Sequence, residues 1–325
     1  MTPTHPSDAV SRRDFLKTAG AGATLAVGSG RLSAAEKTPL PQKTLGKTKV
    51  RVPVIGLGTA PAGYRSEKEA VAFFHQCIDR GLTYLDTAPK FTGYGNAQTY
   101  LGHVLKERSR EVFLVTKCFE PDGEKALQLL KKNLAELRVE RADLVYAHSL
   151  GDDKMDPKVI YGPKGVCKAL EKARRDGLTR FVGVSGHNRP GRFLTALREW
   201  EFDVMMNAVS LVARHVYNFE GKVWPAAAEK GVALAAMKVF GVAASGQTLK
   251  GSRLPDAHKE AALRYALGLP QVSVVVVGMY DEAEMRQNLA RARAFKPLSK
   301  EELEALDRPT RDLAAEWKAL YGPVA

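Results

Sequence analysis

The stretch "EKALQLLKKNLAELRVERADLVYAHS", Glu124 to Ser149, changes its period once. Leu127, Leu130, Leu134 and Leu137 recur at three- and four-residue spacing and line one face of a helix. "ADLVYAHS", 142 to 149, is a short apolar run that reads as a strand, and it ends in two polar residues, His148 and Ser149. A helix feeding a strand is the unit of a parallel sheet, whose neighbouring strands need a crossover between them.

Working outward, the same unit recurs. Further strands are expected at "VPVIGLGTA" (52 to 60), "TYLDTA" (83 to 88), "VFLVTK" (112 to 117), "RFVGVSGH" (180 to 187), "FDVMMNAV" (202 to 209), "VALAAMKVF" (232 to 240) and "QVSVVVVGM" (271 to 279). With the first, these make the eight that close a (β/α)8 barrel. Gly81, Gly177 and Gly231 follow helical segments, where a left-handed cap needs glycine. A last helix, from about Ser299 to Leu320, falls outside the eightfold count and is expected to pack across one barrel face. No Pro/Ser linker interrupts residues 36–325, which read as one α/β domain.

Residues 1–35 read as an export address instead. "SRRDFLK", Ser11 to Lys17, precedes the Gly/Ala-rich run "TAGAGATLAVGSG" and the small residues "LSAA". The paired arginines followed by Phe15, Leu16 and Lys17 resemble a twin-arginine signal, which implies the twin-arginine export machinery as a partner and a periplasmic or extracytoplasmic destination. Cleavage is expected near Ala35, with retention as an uncleaved tether the alternative. The run is too short and glycine-rich to span a bilayer permanently, so no stable span is expected after cleavage. Its glycines are no dinucleotide fingerprint, because no strand precedes them.

The formal net charge is +13, which favours anionic ligands or a generally basic exterior. No basic run is interleaved with aromatics and no zinc-finger spacing occurs, so a nucleic acid partner is not expected. Cys77, Cys118 and Cys167 lie far apart without a C-x-x-C, which argues against a disulfide framework. Cys118 follows Lys117 directly but reads as a core thiol.

In a barrel of parallel strands, polar groups gather where strands end and loops begin. Here strand two ends in Asp86, strand three in Lys117, strand four in His148 and strand five in Ser185 and His187, while strand seven carries Lys238. Asp86 can hold Lys117 by a charge-assisted hydrogen bond, and a buried ammonium is expected to lower the pKa of a neighbouring phenol. His148 is suited to orient a carbonyl.

"GLGTAP", "YLDTAPKF", "VFLVTK", "LAELRVERADLVYAHS", "DGLTRFVGVSGHN" and "MYDEAEMRQNLA" occur in the order found in the aldo/keto reductases, and from Leu45 to Ala292 the chain resembles that family. The resemblance implies a (β/α)8 barrel, NAD(P), and an Asp, Tyr, Lys and His tetrad that reduces a carbonyl or oxidises an alcohol, a sugar-like one included. Asp86, Lys117 and His148 match three members of the tetrad. The family's tyrosine position holds Phe91, which has no proton to donate, and Tyr94 in the same loop is the replacement to test.

For the cofactor, the resemblance implies Thr59 and Ser185 beside the nicotinamide, with Met206 where the family often has Gln and Met237 where it often stacks an aromatic ring. Asn288 matches the adenine-contacting Asn, near a helix start whose N–H groups favour phosphate. Gly278, Met279 and Glu284 stand where a cation, a hydroxyl and an Arg usually hold the NADP 2′-phosphate. A carboxylate there repels phosphate, with Lys238 or Arg286 as possible compensation, so NAD and NADP both stay open.

Three readings follow. The first is an exported oxidoreductase transferring hydride between NAD(P) and a small carbonyl or alcohol through Asp86, Tyr94, Lys117 and His148. The second is a weak or inactive barrel that binds nucleotide or carbonyl ligand because Phe91 has replaced the acid. The third, a metal-dependent sugar isomerase, needs carboxylate-rich strand ends that the chain lacks. A metal held by His148, His187, His215 and Asp86 has no supporting H-x-H or H-E-x-x-H spacing and would face Lys117.

Overall fold

Eight parallel strands close into a barrel, and a short hairpin precedes them. The hairpin pairs β1 (Gln42–Thr44) antiparallel to β2 (Arg51–Pro53). The barrel runs β3 (Ile55–Gly58), β4 (Tyr84–Asp86), β5 (Phe113–Cys118), β6 (Ala142–Ala147), β7 (Thr179–Gly186), β8 (Val204–Ala208), β9 (Ala233–Met237) and β10 (Val272–Gly278), with β10 pairing back onto β3. This is the expected (β/α)8 architecture, formed in a computed structural model that describes residues 38–242 and 250–325. The export-signal reading of residues 1–35 lies outside the described residues.

All eight apolar runs become strands. The hairpin was not expected, because strands of three residues are too short to show alternation, and the run 52 to 60 covers both β2 and β3. Its turn residue Leu45 is fully buried among the side chains that fill the barrel, beside Val52 and Tyr84, so the hairpin plugs the N-terminal end.

Helices alternate with the strands: α1 (Glu67–Asp79), α2 (Ala97–Arg108), α3 (Gly123–Leu137), α4 (Val166–Arg175), α5 (Pro190–Glu199), α6 (Trp224–Glu229), α7 (Asp256–Gly268) and α8 (Glu282–Arg293). On α3 the Asp122 side chain accepts from the Lys125 N–H and starts the helix, and Leu130, Leu134 and Leu137 are buried as their spacing requires, with Leu127 half-buried behind them. Gly81, Gly177 and Gly231 all adopt positive φ, as the cap reading expects. The extra helix α9 (Lys300–Trp317) opens with a reciprocal Ser299/Glu302 capping box. It docks on the segment after β8, where Arg214 pairs with Asp307 and His215 bonds Thr310.

Strand alternation sorts the side chains into two cores. Ile55, Leu57, Leu85, Leu114 and Val145 point outward against the helices. Tyr84, Phe113, Val115, Leu144, Tyr146, Val204, Met206, Ala235 and Val274 point inward and fill the barrel. Two residues beyond each inward row lies the next inward position, so the rows Tyr84–Asp86, Val115–Lys117 and Tyr146–His148 rise from apolar filling to a polar top layer. Tyr84 and Tyr146 meet across the axis, their hydroxyls 3.4 Å apart. Gly183 makes room for Tyr146, since a Cβ there would stand 2.3 Å from the Val204 carbonyl oxygen and 2.8 Å from the Tyr146 ring.

Gly183→Ala is therefore expected to lower the unfolding free energy by about 1–3 kcal/mol, as overpacking of a close-packed interior does. The denaturant midpoint reads this directly. A midpoint equal to that of the parent chain would contradict the packing described.

Candidate active site

Asp86 ends β4, Lys117 is the penultimate residue of β5, and His148 follows β6 by one residue, which brings all three to the same rim of the barrel. Lys117 is buried, and its ammonium has three acceptors for its three protons: Asp86 Oδ1 at 2.5 Å, the Thr87 carbonyl at 2.9 Å and Tyr94 Oη at 2.9 Å. The Tyr94 hydroxyl donates in turn to Asp86 Oδ1 at 3.1 Å. Asn133 from α3 donates to the Lys117 carbonyl and Thr59 Oγ1 to the Asp86 carbonyl, bracing both backbones from outside.

Tyr94 reaches this position through its loop. Pro89 to Gly95 makes a single 3-10 turn over Lys90–Thr92 and then two left-handed glycines, Gly93 and Gly95, which swing the chain back over the rim. The Asn96 N–H donates to the Gly63 carbonyl, and the backbone passes so close that a Cβ on Gly63 would stand 2.0 Å from the Tyr94 carbonyl oxygen. Phe91, at the position where the resemblance places tyrosine, points to solvent and is 62% exposed. The loop therefore sets the Tyr94 hydroxyl against Lys117 and leaves the Phe91 ring in solvent.

The expected lowering of the phenol pKa is not met. Burial first, and then the Asp86 carboxylate as both neighbour and hydrogen-bond acceptor, push Tyr94 well above the usual tyrosine range. Burial lowers Lys117, against the opposing pull of Asp86. The resting site thus holds a neutral phenol poised against a charged pair.

His148 is buried, and its Nδ1 lies 2.9 Å from Ser185 Oγ. Burial, then Lys117, His187 and Lys238, hold it well below the usual histidine range, so the ring is neutral. In the tautomer in which Ser185 donates to Nδ1, the ring proton sits on Nε2, the nitrogen left free for a ligand. Ser185 Oγ thus braces the His148 ring.

A cavity of about 380 Å³ opens beside these residues. Asp86, Tyr94 and His148 line one end, Met237, Lys238 and Gly278 continue it, and Asn288, Glu284, Lys259 and Arg291 line the other. Of the proposed cofactor residues, Met237, Lys238, Gly278 and Asn288 therefore line it. Thr59, Ser185, Met206 and Met279 do not: Thr59 and Ser185 are fully buried in the bonds just described, Met206 fills the barrel interior, and Met279 packs beneath the helices.

The residues present fit an extended dinucleotide. Gly58 and Gly278 pair across β3 and β10 and leave the floor free of side chains, where a Cβ on Gly278 would stand 3.1 Å from Pro61. Lys238 and Arg291 bring cations suited to phosphates, and Lys259 lines the cavity paired with Asp256 at 2.6 Å. The start of α8, in contrast, is not free for a phosphate. Asp281 accepts from the Glu284 N–H, while Glu284 accepts from the N–H groups of Tyr280 and Gly251 at 2.7 and 3.1 Å, so the chain's own carboxylates fill that place. Arg286 pairs with Glu282. Lys259 and Arg291 were not anticipated, because a basic residue on a helix carries no local mark of facing a cavity. Among the described residues, no three His, Cys, Asp or Glu side chains group at metal-binding spacing.

Comparison with known proteins agrees with this geometry. The family model described as "Aldo/keto reductase family" matches residues 54–261. L-galactose dehydrogenase of Arabidopsis thaliana is 23% identical over 316 residues, covering 85% of this chain and 97% of that protein. D-threo-aldose 1-dehydrogenase of a Pseudomonas species is 26% identical, covering 73% of this chain and 88% of that protein. An aldo/keto reductase of Klebsiella pneumoniae, solved in complex with NADP and acetate, superposes with a TM-score of 0.67 at 21% identity, over 82% of this chain and 95% of that one, a likeness of fold.

Two histidines on this rim have a testable charge state. Burial, Lys238 and Lys117 push His187 down to about 3, so it too is neutral. The imidazole resonances of His148 and His187 are expected not to titrate between about pH 5 and 8, where an ordinary histidine changes charge. Because the unfolded chain takes up these protons first, the histidines contribute stability that is present above the unfolded value near 6.5 and is lost as pH falls toward the folded value. A midpoint near the ordinary value for either ring would contradict the assignment.

Proposed function

This chain belongs to the aldo/keto reductase family and is an NAD(P)-dependent oxidoreductase of carbonyl or alcohol substrates, and we propose that Tyr94 is its proton donor. The observation that carries this is the 2.9 Å hydrogen bond between Tyr94 Oη and Lys117 Nζ. It supports the active reading over the inactive barrel, since the hydroxyl missing at Phe91 is supplied within the same loop.

In the reducing direction the neutral phenol gives its proton to the carbonyl oxygen as that oxygen gains negative charge. The phenolate left behind faces the Lys117 ammonium, which already points at Tyr94 Oη and needs no reorientation. Asp86 keeps that ammonium charged in a buried place. His148 donates from Nε2 to the same carbonyl oxygen and fixes its direction. The nicotinamide, when bound, supplies or accepts the hydride, and Met237, Lys238, Gly278 and Asn288 are the residues that would hold the nucleotide. Oxidation of an alcohol runs the same proton path backwards.

Tyr94→Phe is expected to lower kcat by about 100- to 10,000-fold, the usual worth of a positioned acid, with NADH and NADPH binding by fluorescence retained. Adding Phe91→Tyr to that variant is expected to restore nothing, because position 91 faces solvent. Undiminished turnover of Tyr94→Phe over an aldehyde panel would remove Tyr94 from the mechanism. An absence of turnover in the parent chain would favour the inactive reading.

We further propose export by the twin-arginine route, with 36–325 as the mature enzyme. Support comes from the "SRRDFLK" run and the small residues ending at Ala35. The route carries folded proteins, which suits an enzyme whose nucleotide is loaded in the cytoplasm. Replacing Arg12 and Arg13 by Lys is expected to keep the full-length chain in the cytoplasmic fraction. Unchanged export would contradict the assignment.

A further inference from the structure

His187 lies at the end of β7's run, two residues beyond Ser185, and lines the cavity beside His148. Its ring stands edge-on to that of His148, with centroids 6.4 Å apart. Tyr321 backs it from the C-terminal segment at 5.8 Å, and Tyr321 is itself pinned, its N–H donating to Tyr217 Oη while that hydroxyl donates to the Gly322 carbonyl. The ring is thus held in place. Yet neither ring nitrogen makes a hydrogen bond among the described residues, and neither is among the sealed, unpartnered polar atoms, as Tyr321 Oη is. Both nitrogens are therefore open to solvent, on a side chain that lines the cavity.

A held, neutral imidazole offers one donor and one acceptor. A hydroxyl offers the same pair in complement. A carboxylate could use only the donor and has Lys238 nearby as a better partner, while an apolar chain would cover the nitrogens and leave them unsatisfied. Two imidazoles at this spacing can each bond one of two oxygens on adjacent carbons, with ordinary lengths of about 2.7–3.0 Å. His148 takes the carbonyl oxygen in the hydride-transfer reading above, on which this step rests.

We propose that His187 is a specificity-determining residue that binds the hydroxyl next to the reacting carbonyl, so that the site selects α-hydroxy carbonyl compounds or the matching vicinal diols. The substrate is then of the hydroxyaldehyde or sugar class, with the second oxygen read by His187 and the far carbons packed against Phe240.

The test compares lactaldehyde with propanal, which differ by that one hydroxyl, with NADH and NADPH in turn. The parent enzyme is expected to prefer lactaldehyde in kcat/KM by about tenfold or more, as sites that hydrogen-bond a substrate hydroxyl do. His187→Phe is expected to bring the ratio near one, and His187→Asn, which keeps a donor and an acceptor, to hold part of it. A ratio that survives in His187→Phe, or that never exceeds one in the parent, overturns the proposal. Saturation-transfer NMR with 1,2-propanediol against 1-propanol reads the same subsite without turnover. If the parent turns over neither aldehyde, the hydride-transfer reading falls. A diol signal lost in His187→Phe then still upholds the subsite, and a diol signal absent from the parent or unchanged in His187→Phe overturns it.

Discussion

The Lys117 ammonium, buried under the rim of the barrel, sets the terms for everything around it. A buried charge is tolerable only when it is paired and all its protons are accepted. Asp86 supplies the pairing, and Thr87 and Tyr94 complete the acceptors. Removing any one would leave a costly orphan, so the need to satisfy a single side chain holds the ends of β4 and β5 and the loop carrying Tyr94 in one arrangement.

The barrel makes that arrangement possible. Parallel strands with inward rows every second residue raise Asp86, Lys117 and His148 to one level above a filled interior. Beneath them the Tyr84 and Tyr146 rings fill the space that Gly56 and Gly183 vacate. Above them the cavity extends over Gly58 and Gly278 to the cations of α7 and α8. Charge, floor and ligand channel follow from one strand register.

Much of this was legible in the sequence, because it depends on local period. The inward rows ending in Asp86, Lys117 and His148 show as alternation within single strands, and the capped helices between them show as threefold and fourfold spacing. Other features depend on contacts that no window of residues contains. The hairpin β1–β2 has too few residues to alternate. Tyr94 could be named as a candidate, but its reach to Lys117 rests on Gly63, after the neighbouring strand β3, leaving room for the loop. The direction of its proton affinity rests on burial and on a carboxylate shared with Lys117, and adjacency to an ammonium alone suggested the opposite. The bond between Ser185 and His148 joins two strands, and the start of α8 was read as open to phosphate and is instead filled by Asp281 and Glu284.

The account stands on a phenol from a neighbouring loop position serving where Phe91 cannot. A crystal structure of the chain with NAD(P) bound measures this most directly. The predicted result is Tyr94 Oη within about 3 Å of Lys117 Nζ and turned to the open face of the nicotinamide. Tyr94 swung out to solvent beyond hydrogen-bonding reach, with Lys117 bonded to Asp86 alone, would contradict it.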